Sequence, residues 1–323
     1  MKNITVYNEY ATLKTVIIGN AETIYIPDAM EMEQEAHTAT WKKLLNKYLY
    51  KVLKGKKVPQ FLAKKYQREL HDFKKILEKN NVEVLTVDPV VPSKKEEPGM
   101  AQMYARDSVM CVGNLLIEGN LKLEMRKKEM RGYQSIVQSI KNQSSIHQLH
   151  PSETAFLEGG DVLVDYPYVF VGIGKYASNE NGINWLQNLL DISQKEQHPD
   201  QNWRVIPVYL NDDSLHHLDC CFTIIGPKTA IIHKDSLKAL PKELEDYHFI
   251  EIDTKTNKEM GGNVLVIGPK KIIVQKRHLS LQKSLQALGY TVFPLDFTWH
   301  ARLDGAFRCA SCPLERIEEN HSI

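Results

Sequence analysis

A unit of two short apolar strands, a helix and a returning strand recurs along this sequence. Copies begin near Asp107, Asp161, Asp219 and Gly262, at intervals of about 45 to 55 residues. Tight turns separate the two strands of each pair, as at Gly226-Pro227-Lys228. A chain built from such units buries its apolar surfaces by packing each unit against its neighbours. The repeat therefore constrains the fold more than any single motif does.

A fifth unit is divided between the two ends of the chain. It starts with a predicted strand from Phe307 to Ala310, and the chain ends soon afterwards. Its missing parts are predicted near the N-terminus, as strands over 13–18 and 82–87 and a helix over 62–77. We therefore expect an α/β fold in which five ββαβ units form a ring closed by the N-terminal strand, in one domain spanning residues 1–323. An open parallel sheet is the alternative, but there single strands alternate with helices.

The charge balance limits the classes of partner. The chain carries 41 basic and 40 acidic side chains, a net charge of +1, so no overall field attracts nucleic acid or an anionic membrane. We expect neither as a partner. Lysines dominate the stretch from Lys42 to Lys79, where apolar residues recur at helical spacing. This pattern favours the solvated face of amphipathic helices over a nucleic-acid patch.

Cysteine content and the N-terminal sequence predict a cytoplasmic location. The stretch from Met1 to Tyr7 lacks the apolar core of a signal peptide, and no apolar run reaches the roughly 18 residues of a membrane span. Five cysteines, an odd number, indicate free thiols in a reducing compartment rather than a disulfide framework. We expect a homodimer only because that is the commonest assembly of soluble enzymes.

Polar residues recur at one place in every unit, just ahead of its first strand. In chain order they are Arg106 and Asp107, Glu158 and Asp161, His217 and Asp219, Asn263, and Arg308 and Cys309. Equivalent positions of a ring converge on its axis, so a thiol, an imidazole and several carboxylates would face one another. Carboxylates bind a planar guanidinium through paired hydrogen bonds, and a thiolate can attack its carbon. Taken singly, each residue also has a structural interpretation, such as a loop cap or a buried histidine.

A zinc site is the competing interpretation of the cysteines. Cys309 and Cys312 have C-x-x-C spacing, but the sequence has no second such pair. Cys220 and Cys221 are adjacent on a predicted strand, so their side chains would point to opposite faces. We expect no metal and no organic cofactor.

These motifs resemble the guanidino-group-modifying enzymes, or penteins: amidinotransferases, arginine deiminases and dimethylarginine hydrolases. The stretch from Tyr7 to Glu22 and the pair Arg106-Asp107 resemble amidinotransferases. The stretch from Glu158 to Asp161 and the stretch from Phe307 to Cys309 resemble deiminases, and His217-x-Asp219 fits both. The resemblance implies a five-bladed α/β propeller.

It also implies roles for six residues. Asp107 and Asp219, with Arg308, would bind a small guanidino substrate such as arginine. Cys309 would attack its central carbon to form an amidino-cysteine, while His217, assisted by Glu158, moves protons. Transfer to an amine acceptor makes an amidinotransferase, which we favour because that resemblance covers more of the chain. Transfer to water makes a deiminase-like hydrolase. A binding module that has lost turnover is a third interpretation.

Overall fold

Fifteen strands form in the residues that the computed structural model describes, 1–26, 52–150, 154–197, 200–211 and 214–318. The beginning of the lysine-rich stretch lies outside these residues. The strands are β1 (Thr12–Ile18), β2 (Glu83–Thr86), β3 (Val109–Val112), β4 (Leu115–Glu118), β5 (Ile146–Gln148), β6 (Val162–Asp165), β7 (Tyr168–Ile173), β8 (Arg204–Tyr209), β9 (Phe222–Gly226), β10 (Thr229–Ile232), β11 (His248–Glu251), β12 (Leu265–Gly268), β13 (Lys271–Gln275), β14 (Thr291–Leu295) and β15 (Ser311–Ile317).

The strands form five sheets of three, all with the same internal order. An antiparallel pair comes first, and the returning strand then adds in parallel to its second member; in one sheet Val109 lies opposite Glu118, and Leu116 lies opposite Ile146. The sheets are β15-β1-β2, β3-β4-β5, β6-β7-β8, β9-β10-β11 and β12-β13-β14. This order matches the repeat of a hairpin followed by a returning strand.

In four of the sheets an α-helix or a pair of helices connects the hairpin to the returning strand, whereas the helices at Thr254–Lys258 and Thr298–Ala301 link one sheet to the next. The helices are α1 (Gln60–Lys79), α2 (Glu124–Lys127), α3 (Gln134–Ser139), α4 (Glu180–Gln197), α5 (Thr254–Lys258), α6 (Leu279–Ala287) and α7 (Thr298–Ala301). In α1 the apolar side chains of Tyr66, Leu70, Phe73 and Leu77 are buried, as their spacing predicts. Among the described residues no helix is both long and apolar enough to cross a membrane.

The sequence of the unit that begins near Asp107 predicts one helix over 123–140, and the structure interrupts it. A 3-10 segment, Lys128–Tyr133, separates α2 from α3. The change in winding accompanies the burial of two charged side chains, Arg126 and Glu129, which form an ion pair inside the protein. A solvated helix face would leave these side chains in water.

The last strand also differs from its prediction. Residues 307–310 form a turn, in which the Ala310 N–H donates to the Ala306 carbonyl and the Ser311 N–H to that of Arg308. The strand begins only at Ser311, so Cys309 lies on a turn. The predicted pairing of the chain ends is present with this shift, because β1 runs antiparallel to β15 with Ile17 opposite Cys312.

Apolar clusters fill the spaces between sheets. Ile17 of β1 shares one cluster with Leu116 of β4, whereas Leu13 of the same strand shares another with Ile273 of β13. Three further clusters join the sheet of β4 to that of β7, the sheet of β7 to that of β10, and the sheet of β10 to that of β13. The N-terminal strand β1 therefore packs its sheet against two neighbouring sheets.

We expect deletion of residues 1–20 to abolish cooperative unfolding. The deletion removes β1 from the middle of its sheet and leaves β2 and β15 without a common partner. Thermal unfolding followed by circular dichroism tests this.

Point variants of β1 provide a graded test. Ile17→Ala should lower the free energy of unfolding by about 2–5 kcal/mol, because the side chain is fully buried. Lys14→Ala, at an exposed position of the same strand, should change it by less than about 0.5 kcal/mol. A truncated chain that unfolds as cooperatively as the full chain would contradict the role given to β1.

Candidate active site

Five loops bring the polar residues together. We call them the pre-strand loops: residues 105–108, 157–161, 216–221, 261–264 and 305–310, each ahead of the first strand of its sheet. Each is hydrogen-bonded to the next. The bonds run from Gly159 N to Asp107 O (3.1 Å), Asp219 N to Gly160 O (3.1 Å), Asn263 Nδ2 to Asp219 O (3.0 Å), Phe307 N to Asn263 O (3.2 Å) and Arg106 N to Cys309 O (3.0 Å). The last bond returns to the first loop, so all five share one centre.

Two glycines allow this close approach. A Cβ on Gly159 would lie 2.0 Å from the Arg106 carbonyl oxygen, and one on Gly160 would lie 2.6 Å from the His217 ring and 2.9 Å from Asp107 Oδ1. Any larger residue would push the loops apart. The pair of glycines after Glu158 is therefore required by the packing of its neighbours.

Cys309 lies among hydrogen-bonding groups at the centre of the loops. Its Sγ is 3.5 Å and 3.6 Å from the two carboxylate oxygens of Asp219 and accepts from Asn263 Nδ2 at 3.0 Å. The thiol of Cys220, burial and the charge of Asp219 together raise the pKa of Cys309 well above its usual range. These neighbours therefore favour the protonated thiol.

The two predicted guanidinium-binding carboxylates are each held by an internal arginine. Asp107 Oδ2 accepts from Arg126 at 2.7 Å, and Asp219 Oδ2 accepts from Arg308 at 2.8 Å. Within the described part of the chain, Asp107 Oδ1 has no hydrogen-bond partner. Asp219 Oδ1 receives only the thiol groups of Cys309 and Cys220. Each carboxylate thus keeps one oxygen that neither arginine binds, and that of Asp107 faces the His217 ring at 3.6 Å.

His217 lies between two carboxylates. Its Nε2 is 2.9 Å from Glu158 Oε2, and its Nδ1 is 3.6 Å from Asp107 Oδ1. Burial disfavours the charged ring, but Asp107 and Glu158 outweigh that cost and hold the pKa of His217 well above its usual range. The ring is thus an imidazolium at neutral pH and has a proton to give. The structure thus brings His217 and Glu158 into hydrogen-bond contact.

Arg308 is placed differently from the substrate contact that we expected. Its guanidinium donates to Asp219, to Glu9 Oε1 at 2.9 Å and to the Val162 carbonyl at 2.7 Å, and only 1% of the residue is exposed. Burial would raise the pKa of Glu9, but Arg308 and Arg106 outweigh it and lower the pKa to about 2. Arg308 is therefore committed to an internal ion-pair network that supports Asp219.

Several residues of the site lay outside the predicted set. Arg126 holds Asp107, and Asn263 binds the turn of Cys309. Glu69 of α1 accepts from the backbone N–H groups of Trp299 and His300, on the segment that leads to that turn. Of these, only Asn263 had a sequence signal, because it occupies the position ahead of a first strand that the other site residues share.

Two groups of side chains bring possible metal ligands within 4.8 Å of one another: Glu158, His216 and His217, and Asp219, Cys220 and Cys309. Each group contains residues with another role at this site. Cys220 and Cys309 lie in one apolar cluster, whereas Cys312 and Cys221 lie in two others. Cys220 ends a 3-10 turn rather than lying on the predicted strand, because the Cys220 and Cys221 N–H groups bond to His217 and Leu218.

A comparison with protein families identifies the chain. The family model described as "N,N dimethylarginine dimethylhydrolase, eukaryotic" matches residues 26–317. The chain belongs to this family. The match places it among the guanidino-group-modifying enzymes, as the motifs around Asp107, Glu158, His217 and Cys309 indicated.

Similar proteins include both transferases and hydrolases of this family's wider superfamily. The mitochondrial glycine amidinotransferase of Gallus gallus is 24% identical over 357 residues, which cover 96% of this chain and 82% of that protein. The structure of an amidinotransferase of saxitoxin biosynthesis from Microseira wollei superposes with a TM-score of 0.79 at 18% identity, over 99% of each chain. A DDAH from Pseudomonas aeruginosa complexed with citrulline superposes with a TM-score of 0.66 at 14% identity, over 94% of this chain and 99% of that one.

We expect a cationic alkylating agent to label Cys309 faster than a neutral one of the same shape. Asp107 and Asp219 attract the cation and, once it is bound, no longer favour the protonated thiol. At pH 7, 2-chloroacetamidine should react about tenfold or more faster than 2-chloroacetamide. Peptide mapping by mass spectrometry measures the rate at each cysteine.

The control variant is Asp219→Asn, which keeps the shape of the side chain and removes its charge. It should reduce the preference for the cationic reagent. Equal rates for the two reagents at Cys309 in the unaltered protein would contradict this description of the site.

Proposed function

We propose that the protein is an amidinotransferase that moves the amidino group of an arginine-like donor to an amine through a covalent amidino-cysteine. One observation carries the proposal: Asp107 and Asp219, buried at the same centre as the thiol, each leave one oxygen uncommitted to the internal arginines. A guanidinium fits these two oxygens through its N–H groups.

Binding of the cation prepares the nucleophile. A guanidinium between the two carboxylates offsets the negative charge that favours the protonated thiol, so the pKa of Cys309 falls and its proton leaves to solvent. The thiolate then attacks the guanidinium carbon, which the paired hydrogen bonds hold at attack distance. Arg126 and Arg308 hold Asp107 and Asp219 in place throughout.

His217 is the proton carrier in both halves of the reaction. As imidazolium it donates its proton to the departing amine when the C–N bond breaks, leaving the amidino group on Cys309. As neutral imidazole it then removes a proton from the incoming amine, whose nitrogen attacks the same carbon and displaces the thiolate. Glu158, hydrogen-bonded to Nε2, orients the ring and favours its charged form.

A guanidino hydrolase is the second candidate. The glycine amidinotransferase likeness extends over nearly the whole chain and supports transfer to an amine. The name of the matched family supports transfer to water instead. The residues that hold the amidino group are the same for both reactions, so the acceptor alone distinguishes them.

Three further properties belong to this proposal. The five sheets would close into a five-bladed propeller, supported by apolar clusters between successive sheets and by the β1–β15 pair. The protein would be cytoplasmic, supported by five free cysteines. It would be a single-domain homodimer, supported only by the prevalence of such assemblies.

Incubation with arginine alone should release no citrulline and little ammonia. Addition of an amine such as glycine or a longer diamine should then release ornithine and amidinated product. Amino-acid analysis by liquid chromatography measures both. Rapid formation of citrulline without any amine would contradict the transferase and support the hydrolase.

Cys309→Ser should reduce turnover by about three orders of magnitude or more, because a hydroxyl is hardly ionised at neutral pH. Binding of arginine, measured by calorimetry, should persist since the carboxylates remain. Substantial turnover in this variant, or an amidino adduct on Cys220, Cys221 or Cys312 of the unaltered protein, would exclude Cys309 as the nucleophile.

With a guanidino substrate whose leaving amine needs little protonation, His217→Asn should let the amidino-cysteine accumulate, because the first step can still proceed from the intact thiol while the second step loses its base. Intact mass spectrometry of acid-quenched protein should detect one added amidino group on Cys309. A matched control is His233→Asn, since His233 is also buried but, among the described residues, its ring bonds the side chains of Ser236 and Thr254 rather than a carboxylate. The control should turn over like the unaltered protein; accumulation in both variants would exclude a specific role for His217.

A further inference from the structure

The side chain of Asn263 holds the nucleophile turn through four hydrogen bonds. Its Oδ1 accepts from the backbone N–H of Cys309 at 3.1 Å and of Ala306 at 3.2 Å. Its Nδ2 donates to the Asp219 carbonyl at 3.0 Å and to Cys309 Sγ at 3.0 Å. Asn263 is fully buried, so these bonds have no competition from water.

The network fixes which end of the amide faces the sulfur. The two backbone N–H groups need an acceptor, which only the amide oxygen supplies, so Oδ1 points toward the turn. Nδ2 then points toward the Asp219 carbonyl and Sγ, both of which are acceptors when the thiol is ionised. All four hydrogen-bonding positions of the carboxamide are occupied.

The other groups facing the sulfur favour the protonated thiol. Asp219 and Cys220 contact it from the loop of residues 216–221, and the charge of Asp107 also acts on it. Arg308 is adjacent in sequence, but its guanidinium is bonded to Asp219 and Glu9. Among the described contacts of Cys309 Sγ, the Asn263 amide is thus the group that donates to it through an N–H bond.

We propose that Asn263 is a positioning residue that sets the Cys309 turn and donates a hydrogen bond to the thiolate in both steps of the reaction, an inference that rests on the proposed function. In the first step the bond stabilises the thiolate before attack. In the second step the sulfur regains its negative charge as the C–S bond breaks, and the same N–H stabilises the leaving thiolate.

Asn263→Asp separates the two parts of this role. The aspartate keeps an acceptor for the Cys309 and Ala306 N–H groups, but places an oxygen instead of an N–H donor against Sγ. The pH midpoint of Cys309 alkylation by iodoacetamide should rise by about one to two pH units. At pH 7 kcat should fall about 10- to 100-fold with KM little changed, and activity should recover as pH is raised.

Asn179→Asp is the matched control. Asn179 Oδ1 also accepts from two backbone N–H groups, those of Phe156 and Gly182, and Nδ2 donates to the Thr154 carbonyl. Its bonds do not include a thiol. The control should leave both the alkylation midpoint of Cys309 and the pH profile of kcat unchanged.

Asn263→Ser provides a second variant if the aspartate prevents folding. One hydroxyl cannot serve both the Cys309 N–H and Sγ as the amide does, so the midpoint should rise, although by less than in Asn263→Asp. If every folded Asn263 variant alkylates with the midpoint of the unaltered protein, Asn263 has no role toward the thiolate and the inference is wrong.

The alkylation midpoint also separates this inference from the proposed function, because iodoacetamide reacts with the thiolate whatever the natural substrate is. A shifted midpoint in a protein that transfers no amidino group would support Asn263 and reject the transferase. An unshifted midpoint in a protein that does transfer amidino groups would support the transferase and reject the role given to Asn263.

Discussion

The hydrogen bonds that join the five pre-strand loops are the constraint on which the site depends. Each loop precedes the first strand of a different sheet, so its position is set by packing within that sheet. The bonds between successive loops then bring together Asp107, Glu158, Asp219, Asn263 and Cys309, which are far apart in the chain. Buried backbone groups without partners are costly, so the loops cannot separate readily once water is excluded. The scaffold thereby fixes the relative positions of the reacting groups before any substrate arrives.

Buried carboxylates, each paired with a buried arginine, determine the electrostatics of this centre. Asp107 and Asp219 are almost fully buried, and an isolated ionised carboxylate there would cost several kcal/mol. Arg126 and Arg308 prevent this by pairing with one oxygen of each. The remaining oxygens, together with Glu158, make the centre attractive to a cation and unfavourable for a thiolate until that cation is present. Recognition of a guanidinium and activation of Cys309 are thus consequences of the same charges.

Sequence patterns predicted those parts of the fold in which residues close together in the chain favour the same secondary structure. The apolar strands, the tight turns between them and the amphipathic helix α1 are of this kind. The predictions over 123–140 and 307–310 differ from the structure for a common reason. There the backbone follows a distant partner: Arg126 turns inward to Asp107, and the Cys309 N–H bonds to Asn263 instead of joining a strand. Local propensity contains no information about such partners.

The sequence by itself determined the repeated unit, the completion of the last unit by the N-terminus, and the types of residue placed ahead of the first strands. These follow from periodicity and spacing, which are local properties of the chain. Only the tertiary structure decided which polar residues lie beside the Cys309 thiol and which support them through buried ion pairs. Arg308 and Arg126 are both arginines near the nucleophile or its carboxylates, yet both are committed to buried ion pairs. That assignment depends on which side chains meet across the centre, because the free energy of a buried charge is set by its neighbours in space rather than by its neighbours in sequence.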